Sequence, residues 1–226
     1  MTTYELPMSG TLPVLNMLRT VLFPGMHCAT LLATSRAVAA LQASVAHQEQ
    51  PAVAVFAVRA GATSNPEAMD LYDIGSAARV MSLSRRRCCG RWVAELEAAV
   101  RVRSLGYVRE DPFREVRFER VLDPPEERSV LDAVTSAIRS AVIEMNELFP
   151  RCMHTQRALH TVGDARLPED FPGAVYDLLL HLRVPDRQRL LEVEPLSARL
   201  EASLAEIQAR LALHKAARKS RHAHLH

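Results

Sequence analysis

The chain has 226 residues, of which 48 % are hydrophobic and 24 % charged, enough apolar material for a sizeable core and too much for a disordered chain. Its net charge is +2, from 28 basic and 26 acidic residues, so bulk charge calls for neither nucleic acid nor an anionic membrane. No run approaches the roughly 18 apolar residues of a membrane helix, and residues 1–10 lack the basic start and apolar centre of a secretory signal.

In chain order, the first apolar strand signal covers residues 12–22 and stops at Phe23-Pro24-Gly25-Met26. Proline fixes φ and glycine permits φ > 0, so Pro24-Gly25 turns the chain sharply. Residues 35–46 read as a helix, with Thr34 or Ser35 as its cap and Val38, Leu41 and Val45 at helical spacing. Residues 52–58 (Ala-Val-Ala-Val-Phe-Ala-Val) read as a strand buried on both faces. Residues 61–66 are a loop by composition. Alternation from Ala78, with Met81 and Leu83 on one face and Val80 and Ser82 on the other, and the run from Trp92 to Val102, read as a hairpin. Residues 113–121 alternate as a further strand.

Composition changes at Asp123-Pro124-Pro125-Glu126, which reads as a helix start: a capping Asp, a proline at the first helical position, and Glu three residues on. Leu131, Val134, Ile138, Val142, Met145 and Leu148 follow at spacings of three and four. Shorter helices are expected over 155–161 and 171–182. Pro185 and Pro195 punctuate the next stretch, and a long last helix begins near Ser197. The chain thus divides into a β-rich half, 1–122, and an all-helical half, 123–226.

This order resembles the amino-terminal, substrate-binding domain of Lon-type ATP-dependent proteases. The residues that carry the resemblance are Leu12 to Met26 and Tyr72-Asp73-Ile74-Gly75-Ser76-Ala77-Ala78-Arg79-Val80, followed by the ribbon, the strand ending at Arg103-Ser104-Leu105, and the helices from Asp123 through the 193–204 stretch. The resemblance covers about residues 10–215. It implies an α+β fold, a PUA-like pseudo-barrel followed by a helical bundle with a long C-terminal helix. It also implies non-catalytic recognition of unfolded or damaged polypeptide segments on behalf of a protease, which can be a separate chain, and no cofactor is expected; the four cysteines, with no C-x-x-C pair, fit reduced thiols and a cytoplasmic location.

The chain has no G-x-x-x-x-G-K-[ST] phosphate loop, and it lacks the Lon peptidase module with its Ser–Lys dyad. Its only lysines, Lys215 and Lys219, fall in a basic helix end. No ATP-independent cleavage by the chain is expected. The ending, Arg218 to His226, does not resemble a coiled-coil continuation, and a stand-alone Lon-domain protein is expected over a fragment of a full protease.

Substrate contacts are expected at Met17, Leu18, Met26, Met81 and Leu83, in a groove between the barrel and the helical half. Methionine is adaptable and suits promiscuous surfaces, against which stands core packing, the default for apolar residues. Phe23 is expected in the core. Arg85, Arg86, Arg87 and Arg91 surround Cys88-Cys89 at the hairpin tip. They are candidate anion contacts, and an RNA-binding or regulatory PUA-like protein is the alternative reading. No aromatic residue interleaves them to stack on bases, which favours a solvated tip. Thiols among arginines have lowered pKa values, though adjacent cysteines are badly placed for a disulfide. Neither His27-Cys28 nor Cys152 with His154 has a second pair at metal-ligand spacing, so no metal is expected. The stripe Leu200, Leu204, Ile207, Leu211 is coiled-coil-like, and self-association through Leu204, Ile207 and Leu211 is the partner signal it offers.

Overall fold

The computed structural model describes residues 6–47, 50–62 and 66–223, with side chains as far as 217 apart from that of residue 47. Residues 63–65 of the expected loop, and the tail histidines His222, His224 and His226 as side chains, lie outside this description. The fold is α+β. Two compact units divide it: one of Met1–Leu122 with Val184–Glu192, the other of Asp123–Arg183 with Val193–His226.

The first unit is a strand circuit. Its strands are β1 (Ser9–Met17), β2 (His27–Leu31), β3 (Ala52–Ala57), β4 (Ile74–Arg85), β5 (Trp92–Arg109) and β6 (Glu115–Arg120), with helix α1 (Ser35–His47) between β2 and β3. The sheet order is β2-β5-β4-β3-β1-β6, and β5 also pairs with β6, so five strands close on themselves and β2 hangs on the outside of β5. Among the described strands β1 and β3 run parallel, and the other pairs are antiparallel.

Strand parity sorts the core into two layers. Leu12 and Val14 of β1, Ala54 and Phe56 of β3, Ala77 of β4, Val102 of β5, and Val116 and Phe118 of β6 form one cluster, contributed by every strand of the closed circuit. The opposite parity on β1, β3 and β4, Leu15, Met17, Val53, Val55, Ala78 and Val80, packs outside it with Leu22, Leu32 and Leu41 of α1, and Leu96 joins them because an extra residue at Ala99 reverses the phase of β5. β3 serves both layers, which is why all six of its residues are buried.

The first strand ends at Met17, five residues earlier than its apolar run. Val21, Leu22 and Phe23 are nonetheless buried, with Phe23 wholly enclosed. Phe23 to Met26 form a β-turn: Met26 N–H donates to the Phe23 carbonyl at 3.0 Å, and Gly25 holds φ 78°. Glycine at the third position with positive φ is the type II arrangement. The turn feeds β2, whose register on β5 runs from His27↔Glu97 to Leu31↔Val93. Thr34 caps α1 by accepting the Ala37 N–H at 3.1 Å.

The hairpin alternation is corrected by a bulge. Val80 pairs with Leu96 but Ser82 pairs with Glu95, leaving Met81 as the extra residue. The phase shifts by one beyond it, so Leu83 joins Val80 against the outer core layer rather than sharing a face with Met81.

Helix α5 (Val184–Glu192) was not expected in the sequence and belongs to the first unit. Its polar residues hold it there. Arg187 donates to the Arg19 carbonyl at 2.8 Å, Gln188 to the Ile74 carbonyl at 2.8 Å, and buried Arg101 of β5 to the Leu191 carbonyl at 3.2 Å.

The second unit comprises α2 (Arg128–Leu148), α3 (Met153–Asp164), the short α4 (Phe171–Ala174) with a 3-10 turn at Tyr176–Leu179, and α6 (Leu196–Ala223). Helix α2 begins at Arg128, not at Asp123-Pro124, because the expected capping residues are engaged elsewhere. Asp123 takes both ends of the Arg199 guanidinium, at 3.0 and 2.6 Å. Glu126 accepts the Ser197 N–H at 2.9 Å and the Ser197 hydroxyl, placing a carboxylate at the N-terminus of α6. Leu200, Ile207 and Leu211 of α6 are buried within this unit and Leu204 half-buried. Ile207 and Leu211 are thus occupied by packing inside the unit rather than displayed to a second copy. Farther along α6, Lys215 pairs with Glu144 and His214 lies edge-on to Phe149 at 4.5 Å.

Candidate functional site

Where β1 leaves the sheet, the first unit opens into a cavity of about 260 Å³. Its walls come from Val14 to Thr20, from Thr30 and Leu31 at the end of β2 and the connection that follows to Thr34, from Arg36 and Ala37 in the first turn of α1, and from Pro66 and Arg114. The volume falls just under the roughly 300–1,000 Å³ of sites for free small molecules, and suits one or two side chains of a longer ligand.

Leu18 and Leu31 stand at this cavity with 45 % and 43 % of their surface exposed. The wall also carries three guanidinium groups. Arg114 is buried and fixed: it donates to Glu110 at 2.7 Å and to the Pro66 carbonyl at 2.6 Å. Arg36 donates to exposed Asp111 at 3.2 Å. The Arg19 side chain is exposed and has no ion-pair partner among the described residues; only its backbone carbonyl is held, by Arg187.

β2 borders the same cavity and is an edge strand among the described residues. The Ala98 N–H donates to the Met26 carbonyl at 2.9 Å, and the Leu32 N–H to the Trp92 carbonyl at 2.9 Å. These two bonds set the phase of the ladder. Cys28 and Thr30 turn their backbone toward β5, and His27, Ala29 and Leu31 turn theirs outward. Among the described residues no strand pairs with that outward edge. An open strand edge is a template for another extended chain.

The five residues expected to touch substrate part company. Met17 is buried at 7 % exposure in the outer core layer, and although it borders the cavity, packing against α1 accounts for its side chain. Leu18 is at the cavity mouth. Met26 and Leu83 are half-buried against the outer layer. Met81 sits on its bulge, 56 % exposed. The cavity lies within the first unit. Leu31, Arg19 and β2 itself escaped the sequence reading, since His27-Cys28-Ala29-Thr30-Leu31 has no apolar alternation. The signal available was the turn before it, which sends the chain back and so demands a strand for it to pair with.

The arginine cluster lies at the tip of the β4–β5 hairpin. Arg86 N–H donates to the Arg91 carbonyl and Gly90 N–H to the Arg86 carbonyl, each at 2.8 Å, and Gly90 holds φ 66°. Arg85 folds back to donate to the Gly90 carbonyl at 2.7 Å. Arg86, Arg87 and Arg91 are exposed and form no ion pair among the described residues. Trp92 packs partly against the outer core layer and is not free to stack.

Among the described residues, no group of three or more His, Cys, Asp or Glu side chains is placed to hold a metal ion. None of the described helices is long and apolar enough to cross a membrane.

Comparison with known proteins agrees with this architecture. Residues 11–209 match the family described as the ATP-dependent protease La (LON) substrate-binding domain. The chain is 26 % identical over 200 residues to a Lon protease of Anaeromyxobacter dehalogenans, covering 86 % of this chain and 22 % of that protein. It is 26 % identical over 215 residues to a Lon protease of Desulfovibrio desulfuricans, covering 89 % and 23 %. The chain therefore spans about a quarter of the length of the relatives it matches. Among solved structures, the N-terminal domain of a Mycobacterium avium complex Lon protease superposes with a TM-score of 0.65 at 18 % identity, covering 88 % of this chain and 98 % of that one. A Lon N-terminal domain protein from Xanthomonas campestris gives 0.52 at 17 %, covering 87 % and 98 %. The part of Lon that is matched is its non-catalytic, substrate-recognising portion, and this chain belongs to the Lon substrate-binding domain family.

Proposed function

We propose that the first unit binds extended segments of unfolded or damaged polypeptides and holds them for a Lon-type protease. The observation that carries this reading is the conjunction of an open strand edge, at His27, Ala29 and Leu31, with a side-chain-sized cavity bordered by Leu18 and Leu31. A peptide laid along β2 satisfies the outward backbone groups without regard to its sequence. Its apolar side chains are then drawn into the cavity by burial alone, a non-directional force suited to many clients. Arg19, exposed and without an ion-pair partner among the described residues, adds a contact for a carboxylate on the bound segment. Leu18 and Leu31 are the leading contacts, with Met81 a second apolar contact on the hairpin.

The test is a titration of the chain with a reduced, permanently unfolded protein and with single-stranded RNA, each at low and at high salt. Apolar peptide binding changes little with salt, whereas phosphate neutralisation makes affinity fall steeply. Leu18→Asp and Leu31→Asp each weaken the unfolded-protein complex several-fold and leave the unfolding transition in place. Salt-sensitive RNA binding lost on neutralising Arg86, Arg87 and Arg91 would support the nucleic-acid reading instead. Binding of neither probe sinks both readings.

A further inference from the structure

The hairpin tip holds two nucleophiles that peptide binding does not use. Cys88 and Cys89 are both exposed and both free thiols. They sit in a loop whose shape is fixed by the Arg86–Arg91 and Gly90–Arg86 backbone bonds. The tip carries four arginines, the charges of Arg86 and Arg91 act on Cys89, and Arg86, Arg87 and Arg91 have no carboxylate partner among the described residues. We propose that Cys89 is a site of reversible S-thiolation by anionic low-molecular-weight disulfides.

The two sulfurs have different surroundings. The Arg91 backbone amide bonds the Cys89 sulfur, the Cys88 thiol donates to it, and the charges of Arg86 and Arg91 face it; together these hold the Cys89 thiol below its ordinary value. The thiolate is the attacking species. It attacks one sulfur of a disulfide RS–SR, the S–S bond breaks, a Cys89–S–SR bond forms, and RS⁻ leaves to take a proton from water. Cys89 is oxidised and the departing half of the reagent is reduced, so the step balances without another oxidant. Reaction with excess thiol reverses it.

Cys88 does not carry the reaction on to an internal disulfide. Its peptide bond to Cys89 is trans. That places adjacent Cα atoms about 3.8 Å apart, short of the roughly 4.4–6.8 Å that disulfides span. The mixed disulfide is the product at which the tip stops. The arginines select the reagent: a positive, acid-free tip raises the local concentration of an anionic disulfide and repels a cationic one.

Glutathione disulfide, which is anionic, and cystamine, which is cationic, are the probes. The unmodified chain is incubated with each at neutral pH, and adducts are located by mass spectrometry of peptides. Cys89 gains the glutathione adduct several-fold faster than the cystamine adduct, and high salt narrows the difference. Cys152, at the start of α3 in the second unit, serves as the internal comparison and shows a smaller preference between the reagents. Arg86→Gln with Arg91→Gln removes the preference at Cys89, and Cys89→Ser abolishes the adduct at the tip. Equal rates for the two reagents at Cys89, or first reaction at Cys88, overturns the proposal.

Discussion

Gly75 lies against Val55 so closely that a β-carbon added to it would meet the Val55 carbonyl oxygen at 2.2 Å and the Phe56 ring at 2.6 Å. The glycine of the Tyr72-Asp73-Ile74-Gly75 segment is therefore a packing requirement between β4 and β3. Gly75↔Val102 pairing on its other side leaves β4 no room to withdraw. Gly75→Ala destabilises the chain by about 2–3 kcal/mol or prevents folding, since overpacking against backbone finds no flexible atom to yield. Gly10→Ala is the control. Its added carbon meets the Phe118 ring at 3.5 Å, an ordinary contact, and costs less than about 1 kcal/mol. Urea unfolding of the two variants makes the comparison, and equal losses would contradict it.

Which elements the sequence disclosed follows from where their partners lie. β3 and α1 were legible because burial on both faces and an apolar helical stripe leave direct patterns, and each matches its expected span within a residue. α5 was not legible because its buried face carries Arg187 and Gln188, which bond distant backbone carbonyls and so read as a polar surface. The start of α2 was misread because Asp123 and Glu126, good local caps, serve α6 instead. At the candidate site, Leu18 was named from sequence, but the cavity depends on Arg114, Pro66 and Leu31, brought to β1 by strand pairings that leave no local trace. Met81 and Leu83 were both named, yet a one-residue bulge separates them, and such a bulge is invisible to alternation.

The Asp123–Arg199 pair gives a second prediction. The Arg199 side chain is 3 % exposed and that of Asp123 20 %. Asp123→Ala leaves a buried guanidinium with its Val193 carbonyl contact at 2.7 Å but without its counter-charge. The expected loss is about 3 kcal/mol, the lower part of the range for breaking a buried pair. Adding Arg199→Met to Asp123→Ala recovers part of that loss, because an apolar side chain no longer strands a charge. A double variant less stable than Asp123→Ala alone would show that the guanidinium is held chiefly by its other contacts.

Strand addition on β2 predicts an effect that apolar contact alone does not. Ala29 turns its N–H outward by the phase of the ladder, and its side chain is exposed. Proline is tolerated on an edge strand where the missing N–H faced solvent. Ala29→Pro thus leaves the β2–β5 pairing and the unfolding midpoint nearly unchanged, within about 1 kcal/mol for an exposed edge site. It removes one donor that an added strand needs, and binding of the unfolded probe weakens several-fold. Unchanged binding with an intact fold would rule out backbone pairing at this edge and leave the cavity contacts to act alone.

The two remaining cysteines predict a pH dependence of alkylation. Cys28, on β2, is half-buried beneath the outer core layer, and burial pushes its thiol above the ordinary value. Cys152 stands at the N-cap position of α3, beside the exposed amides of its first turn. The Thr155 backbone amide, with that of His154 and the Thr155 hydroxyl behind it, pulls its thiol below that value. Only the thiolate reacts, so at neutral pH the depressed group has the larger reactive fraction. Iodoacetamide therefore labels Cys152 well ahead of Cys28 at pH 7. As pH rises Cys152 saturates first while Cys28 continues to ionise, so the ratio of their rates falls toward the value set by access alone. In concentrated urea both take the unfolded value and the difference disappears. A ratio that stays constant from neutral to alkaline pH would mean that exposure, rather than the helix N-terminus, separates the two thiols.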